Sequence, residues 1–286
     1  MTPTSIDLSR RTELTGLAQV VQSLEPIAGR LGMNFFLMGA AARDLLLVHA
    51  SGVNVPRATA DVDFGVMVAD WQAFDGLRRA LIGSGDFKER PGPPTHRMRH
   101  RSGLPLDIVP FGGVERPDRT LLWPPENSEV FDCFGMKEAL ADSVSVALPG
   151  GVSVRVASVP TQAVLKMAAW NDRKHTHPGR DAGDLFLLLR HYLDLTDNMD
   201  RALEQHADLF EVEPFDHEET AVRLLARDMN ERLDAAGVQR VAGLLVPEAD
   251  EAGPLLLAGQ SGLELERARR LIEVLCDELG SVAGGR

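Results

Sequence analysis

The chain has 286 residues, 44% of them hydrophobic and 25% charged, with a formal net charge of -12. This is the composition of an ordinary globular chain with room for one large domain or two modest ones, and it excludes fibrous and disordered classes. Cys133 and Cys276 share no ligand spacing with a histidine, no basic segment leads into an apolar stretch at the N-terminus, and no apolar run approaches the roughly 18 residues of a membrane span; a cytoplasmic protein is expected, with neither a disulfide framework nor a zinc knuckle.

Apolar residues at helical spacing (Leu14, Leu17, Val20, Val21, Leu24, Ile27, Leu31) predict a helix over 13–31, and 34–38 reads as a short buried strand ended by Gly39. A second helix is expected over 40–49, and the breakers of 51–56 form a loop into a strand that begins at Asp61. Residues 70–82 carry helical spacing, closed by Gly83-Ser84-Gly85. Three strands, 87–90, 95–101 and 104–111, are punctuated by Pro91-Gly92-Pro93-Pro94 and Ser102-Gly103, which predicts a meander. Beyond the Pro-rich stretch at Trp123-Pro124-Pro125, 144–148 and 152–156 alternate around Pro149-Gly150-Gly151 as a hairpin. From Pro160 onward 161–170, 181–195, 218–233 and 263–279 have helical spacing. The expectation is an α+β chain, a mixed sheet with helices over 1–157 followed by a mostly helical domain over 158–286.

The chemistry starts at Thr59-Ala60-Asp61-Val62-Asp63-Phe64. Carboxylates two apart on a strand project from one face, where they repel unless a cation sits between them. Asp107 is the one acid in the apolar run Leu104-Pro105-Leu106-Asp107-Ile108-Val109-Pro110-Phe111, and a lone acid there either turns to water or faces a cation with the other two. Three aspartates from adjacent strands suit two magnesium ions about 3.5 to 4 Å apart, the apparatus of phosphoryl transfer. Gly39-Ala40-Ala41-Ala42-Arg43 is a small-residue turn opening a helix, which lets phosphate oxygens approach backbone N–H groups. Each feature taken singly also fits a solvated strand end or an ordinary turn; their order along the chain is what carries weight. Two basic islands, 88–101 and 173–180, are equally read as phosphate contacts or as solvated charged surface. His175 and His177 read as loop residues, since no carboxylate or cysteine stands at a matching ligand spacing.

Met38 to Asp63, with Gly39-Ala40, the Arg43-Asp44 pair and Asp61-Val62-Asp63, resembles the nucleotidyltransferase fold that includes polymerase beta and the head domain of tRNA CCA-adding enzymes. Lys166-Met167-Ala168-Ala169-Trp170-Asn171-Asp172-Arg173-Lys174, followed by Arg180-Asp181-Ala182-Gly183-Asp184-Leu185, resembles the signature of the AbiEii/AbiGii toxin group of that superfamily. The likeness covers about residues 30 to 195. It implies that Asp61, Asp63 and Asp107 are metal-binding and catalytic, with Asp107 acting on the incoming hydroxyl, and that Gly39 and Ala40 line the triphosphate. It further implies that Lys166 reaches the phosphates, that Asp184 orients it, and that Arg43 and Arg180 are second-rank nucleotide contacts. Lys166 and Asp184 would then be the helical domain's contribution to the cleft. The family usually has Gly-Gly, Gly-Ser or Gly-Thr where Gly39-Ala40 stands, so Ala40 removes a hydroxyl contact while keeping the backbone N–H. The implied activity is transfer of a nucleoside monophosphate from a nucleoside triphosphate, with magnesium, to an RNA acceptor, conceivably tRNA, by the toxin of a toxin–antitoxin pair with a cognate antitoxin. The alternatives are a small-molecule nucleotidyltransferase of the antibiotic-modifying kind, which an acidic surface would suit, and a catalytically silent module of the same fold.

Overall fold

The computed structural model describes residues 5–55, 61–90, 96–124 and 130–283. In chain order the first half holds β1 (Ser5–Asp7), α1 (Thr15–Arg30), β2 (Phe35–Met38), α2 (Gly39–Asp44), β3 (Val62–Val68), α3 (Trp71–Gly83), β4 (Phe87–Glu89), β5 (Arg97–His100) and β6 (Pro105–Gly112). There follow β7 (Thr120–Leu122), β8 (Val130–Asp132), α4 (Met136–Ala141), β9 (Ser143–Leu148) and β10 (Val152–Ala157). The second half holds α5 (Val159–Arg173), α6 (Arg180–Arg190), α7 (Asn198–Gln205), α8 (His217–Arg232), α9 (Ala235–Ala249), α10 (Leu256–Gly259) and α11 (Leu265–Ala283). The chain is α+β and forms two compact units: one within Pro3–Leu45 and Pro56–Ser158, the other within Leu46–Val55 and Val159–Arg286.

The first unit is built on an eight-stranded mixed sheet in the order β1-β9-β10-β2-β3-β6-β5-β4, with β7 and β8 as a separate pair. β2 runs antiparallel to β3, β3 parallel to β6, and β4, β5 and β6 form the expected antiparallel meander. Its two faces are distinct because side chains alternate along each strand. Phe64, Leu37, Ile108 and Met98 project to one face and are fully buried. Farther along the opposite face, Phe36 stacks edge-on against Phe111 at 5.8 Å and leaves no room for a side chain at Gly65, where an added Cβ would stand 2.6 Å from the Phe36 ring. Local rules explain the connections. Asp70 caps α3 by accepting from the Ala73 amide at 2.7 Å, and Gly150 and Gly151, with φ of 79° and 77°, supply the left-handed turn that joins β9 to β10.

The second unit is helical and includes Leu46–Val55, whose Leu46, Leu47 and Val53 are buried. Carboxylates cap its helices, Asp216 accepting from the Glu219 amide at 3.0 Å and Asp234 from the Gly237 amide at 2.7 Å. The helix expected over 181–195 stops at Arg190, because Asp194 turns back to accept from His191 at 2.7 Å and His217 at 2.8 Å. Among the described residues no helix is long and apolar enough to cross a membrane.

Candidate active site

Strand pairing builds the centre of the site. Asp63 is the second residue of β3, Asp107 the third of β6, and the two stand directly opposite each other in the parallel ladder. Residues so paired project to the same face about 5 Å apart at the backbone. Both are half-buried. Two like charges side by side destabilise a sheet unless a cation or proton neutralises them. Asp61 stands just before β3 and is half-buried too. Carboxylates are hard oxygen donors, suited to magnesium, and the pair fits such an ion in donor type and placement. Among the described residues, however, no three metal-ligating side chains converge into a ready-made cage.

Asp107 has basic side chains at arm's length: His96 Nε2 lies 3.6 Å and Arg97 Nε 3.7 Å from its Oδ2, beyond hydrogen-bond reach. His96 is wedged edge-on against Trp123, ring centroids 4.6 Å apart, and its Nδ1 is buried with no hydrogen-bond partner. Sequence reading placed His96 in a basic island without linking it to Asp107; the cue was its position next to Arg97 in a strand antiparallel to the Asp107 strand.

On the other flank of Asp63, Met38 is its partner in β2, and the chain turns at Gly39 into α2. Gly39 has φ +71°, and a Cβ there would lie 2.1 Å from Asp63 Oδ2. Only glycine tolerates both that backbone and that proximity. Ala40 follows, half-buried at the start of α2. Arg43 is 1% exposed and turned to Asp44, donating to Oδ1 from Nε at 2.8 Å and Nη2 at 2.5 Å.

The helical unit carries a second charged constellation. Lys166 on α5 donates to Asp184 at 2.6 Å and to Asp181 at 3.3 Å on α6, while Arg173 grips Asp181 at 2.5 and 2.9 Å. The three-residue spacing of Asp181 and Asp184 puts both on one helix face, which is why one ammonium reaches both. Burial alone would raise the Asp181 carboxyl, but the Arg173 hydrogen bonds and the Lys166 charge outweigh it and hold the carboxyl below its ordinary value. Asp181 was thus the missed member of this group. Part of the 173–180 island is spent internally: Arg173 on Asp181, and Lys174 over the Trp170 ring at 4.7 Å and on Asn171 at 3.1 Å. Arg180 opens α6, half-buried.

Residues 28–252 match the family described as "Nucleotidyl transferase AbiEii toxin, Type IV TA system". The chain belongs to the AbiEii family. No curated relative matches it. Solved structures similar to this AbiEii protein include the antibiotic-resistance factor ANT(2'')-Ia, with 12% identity over 69% of this chain and 96% of that one and a TM-score of 0.36. A tRNA nucleotidyltransferase complexed with a primer tRNA and an incoming ATP analog has 17% identity over 91% and 85% of the two chains and a TM-score of 0.22. These likenesses are loose, and membership of the AbiEii family rests on the sequence match.

Proposed function

We propose that this AbiEii-family nucleotidyltransferase transfers a nucleoside monophosphate from a nucleoside triphosphate to an acceptor hydroxyl on RNA, tRNA being the foremost candidate, with release of pyrophosphate, and that it acts as the toxin of a pair with a cognate antitoxin. The observation that carries the reading is the in-register pair Asp63 and Asp107 beside the Gly39 turn. Asp61, Asp63 and Asp107 are assigned as donors to magnesium, two ions in all, which when bound neutralise phosphoryl charge and acidify the attacking hydroxyl.

The chain's own groups do the rest by positioning and charge. Asp107 accepts the proton of the attacking hydroxyl. The Gly39 and Ala40 backbone amides are assigned to the triphosphate, with Arg43, paired to Asp44 one residue on, as a second-rank nucleotide contact. Lys166 is assigned to a phosphate oxygen. An ammonium has three N–H donors; Asp181 and Asp184 take two, which leaves the third for substrate. Arg180 is a further phosphate candidate.

The test is incubation of native protein and Asp63→Ala with magnesium, labelled nucleoside triphosphates and total RNA, following label in RNA and release of pyrophosphate. Label in RNA from the native protein alone supports the proposal. Asp63-dependent pyrophosphate release with unlabelled RNA moves the acceptor to a small molecule, and equal results for both proteins remove catalysis.

A further inference from the structure

The sheet that carries Asp63 and Asp107 continues through β5 and β4 to its edge. Arg97 pairs with Asp107, Arg99 stands two residues along β5, and Lys88 on β4 pairs with Arg99. Register and the two-residue alternation therefore put Lys88, Arg97 and Arg99 on the same face as the two carboxylates. All three are exposed. The buried residues between them, Met98 and His100, point to the other face.

These charges are weakly used by the protein itself. Arg97 reaches Asp107 only at 3.7 Å, Arg99 donates to the Gly103 carbonyl at 2.9 Å, and Lys88 meets no carboxylate among the described residues. In a chain with 42 acids and 30 Lys and Arg, a row of cations left without close acidic partners is unexpected. The order across the sheet is informative: the Gly39 turn follows β2 on one side of the carboxylates, and the basic row begins on the other. At about 5 Å per strand the row extends roughly 10 Å from β6, the span of a few backbone phosphates and away from the turn assigned to the triphosphate.

We propose that the face of β4 and β5 is the acceptor-binding surface, where Lys88, Arg97 and Arg99 hold the phosphodiester backbone of a nucleic acid whose terminal hydroxyl is delivered to Asp107. The proposal rests on the nucleotidyltransferase reading for what the acceptor does, and on the register alone for where it lies.

The experiment uses the full chain, fluorescently labelled mixed tRNA as probe, and anisotropy titrations over a range of potassium chloride. Removing one cation that neutralises a phosphate lowers the slope of log affinity against log salt by about 0.7 to 0.9. Lys88→Gln with Arg99→Gln is expected to weaken binding at least about tenfold at low salt and to reduce the slope by nearly two such steps, each single variant giving about one. Arg79→Gln, an exposed change of equal charge on α3, is expected to leave the slope unaltered. A slope shared by native protein and all the variants, an equal loss in Arg79→Gln, or no salt-dependent binding by the native protein overturns the surface. If the double variant loses its thermal transition, the single variants decide. Labelling of RNA that depends on Asp63 while the slopes do not move would sink this surface and leave the proposed reaction standing. Slopes that move without any nucleotide transfer would do the reverse.

Discussion

Asp107 in the sheet unit and Asp228 in the helical unit are both acids on largely buried elements, and they are held in opposite ways. Asp228 is 2% exposed and saturated: Tyr192 donates to it at 2.5 Å and Arg201 at 3.0 and 2.5 Å. Burial, then the Asp228 charge, pushes the Tyr192 phenol well above its ordinary value. Asp107 keeps its nearest basic side chains, His96 and Arg97, at 3.6 and 3.7 Å, and its partner across the ladder is another acid. A carboxylate closed in by short, charge-assisted bonds is committed to the fold, whereas one with distant cations and a like-charged neighbour can exchange them for a ligand.

The contrast can be broken by substitution. Asp228→Ala leaves the Arg201 guanidinium buried without its counter-ion and is expected to cost about 3 to 5 kcal/mol of stability, read in denaturant unfolding. Asp107→Asn should do the opposite, lowering nucleotide transfer about 10²- to 10³-fold while the unfolding midpoint holds or rises as the like-charge pair is relieved. A marked loss of stability in Asp107→Asn would place that acid with Asp228. Gly39→Ala is intermediate: the left-handed backbone costs about 1 to 2 kcal/mol, and displacement of Asp63 should lower turnover by up to about 100-fold.

Acid sharpens the comparison further. Burial holds the His100 imidazole below its ordinary value of 6.5, so the unfolded chain takes up that proton first. Its contribution to stability is complete above pH 6.5 and declines as pH falls toward the lowered folded value; His100→Phe should flatten that decline in unfolding measured across the mildly acid range. The Asp181 carboxyl, held below 3.8, gives stability that is complete above that pH and disappears as pH drops through the lower folded value, so Asp181→Asn should alter only the strongly acid limb. Smallest of all is the response to thiol reagents. Cys133 is fully buried, and burial pushes the Cys276 thiol up to about 12, so alkylation near neutral pH should proceed slowly and leave transfer activity unchanged.

Much of this was legible because periodicity reports on burial. The apolar spacing in α1, α3 and α8, the meander of β4 to β6 and the Gly150-Gly151 turn all follow from rules that act within a few residues. Asp63 and Asp107 were recognisable as acids out of place in apolar strands, but their register was not. β3 and β6 are parallel neighbours joined through α3, β4 and β5, a long-range pairing with no local mark. The grip of Arg173 on Asp181 was hidden for a similar reason, since it crosses the turn between two helices. β1, β7 and β8 have three residues each, too few for an alternation to stand out.

Leu46–Val55 lies early in the chain yet belongs with the helices that begin at Val159. During synthesis this segment leaves the ribosome long before the helices that will cover Leu46, Leu47 and Val53 exist. The sheet unit can close as its strands emerge, whereas the other must wait with an apolar piece uncovered until the second half of the protein has been made. Expression of the C-terminal helices alone would for the same reason yield a body lacking one of its own walls.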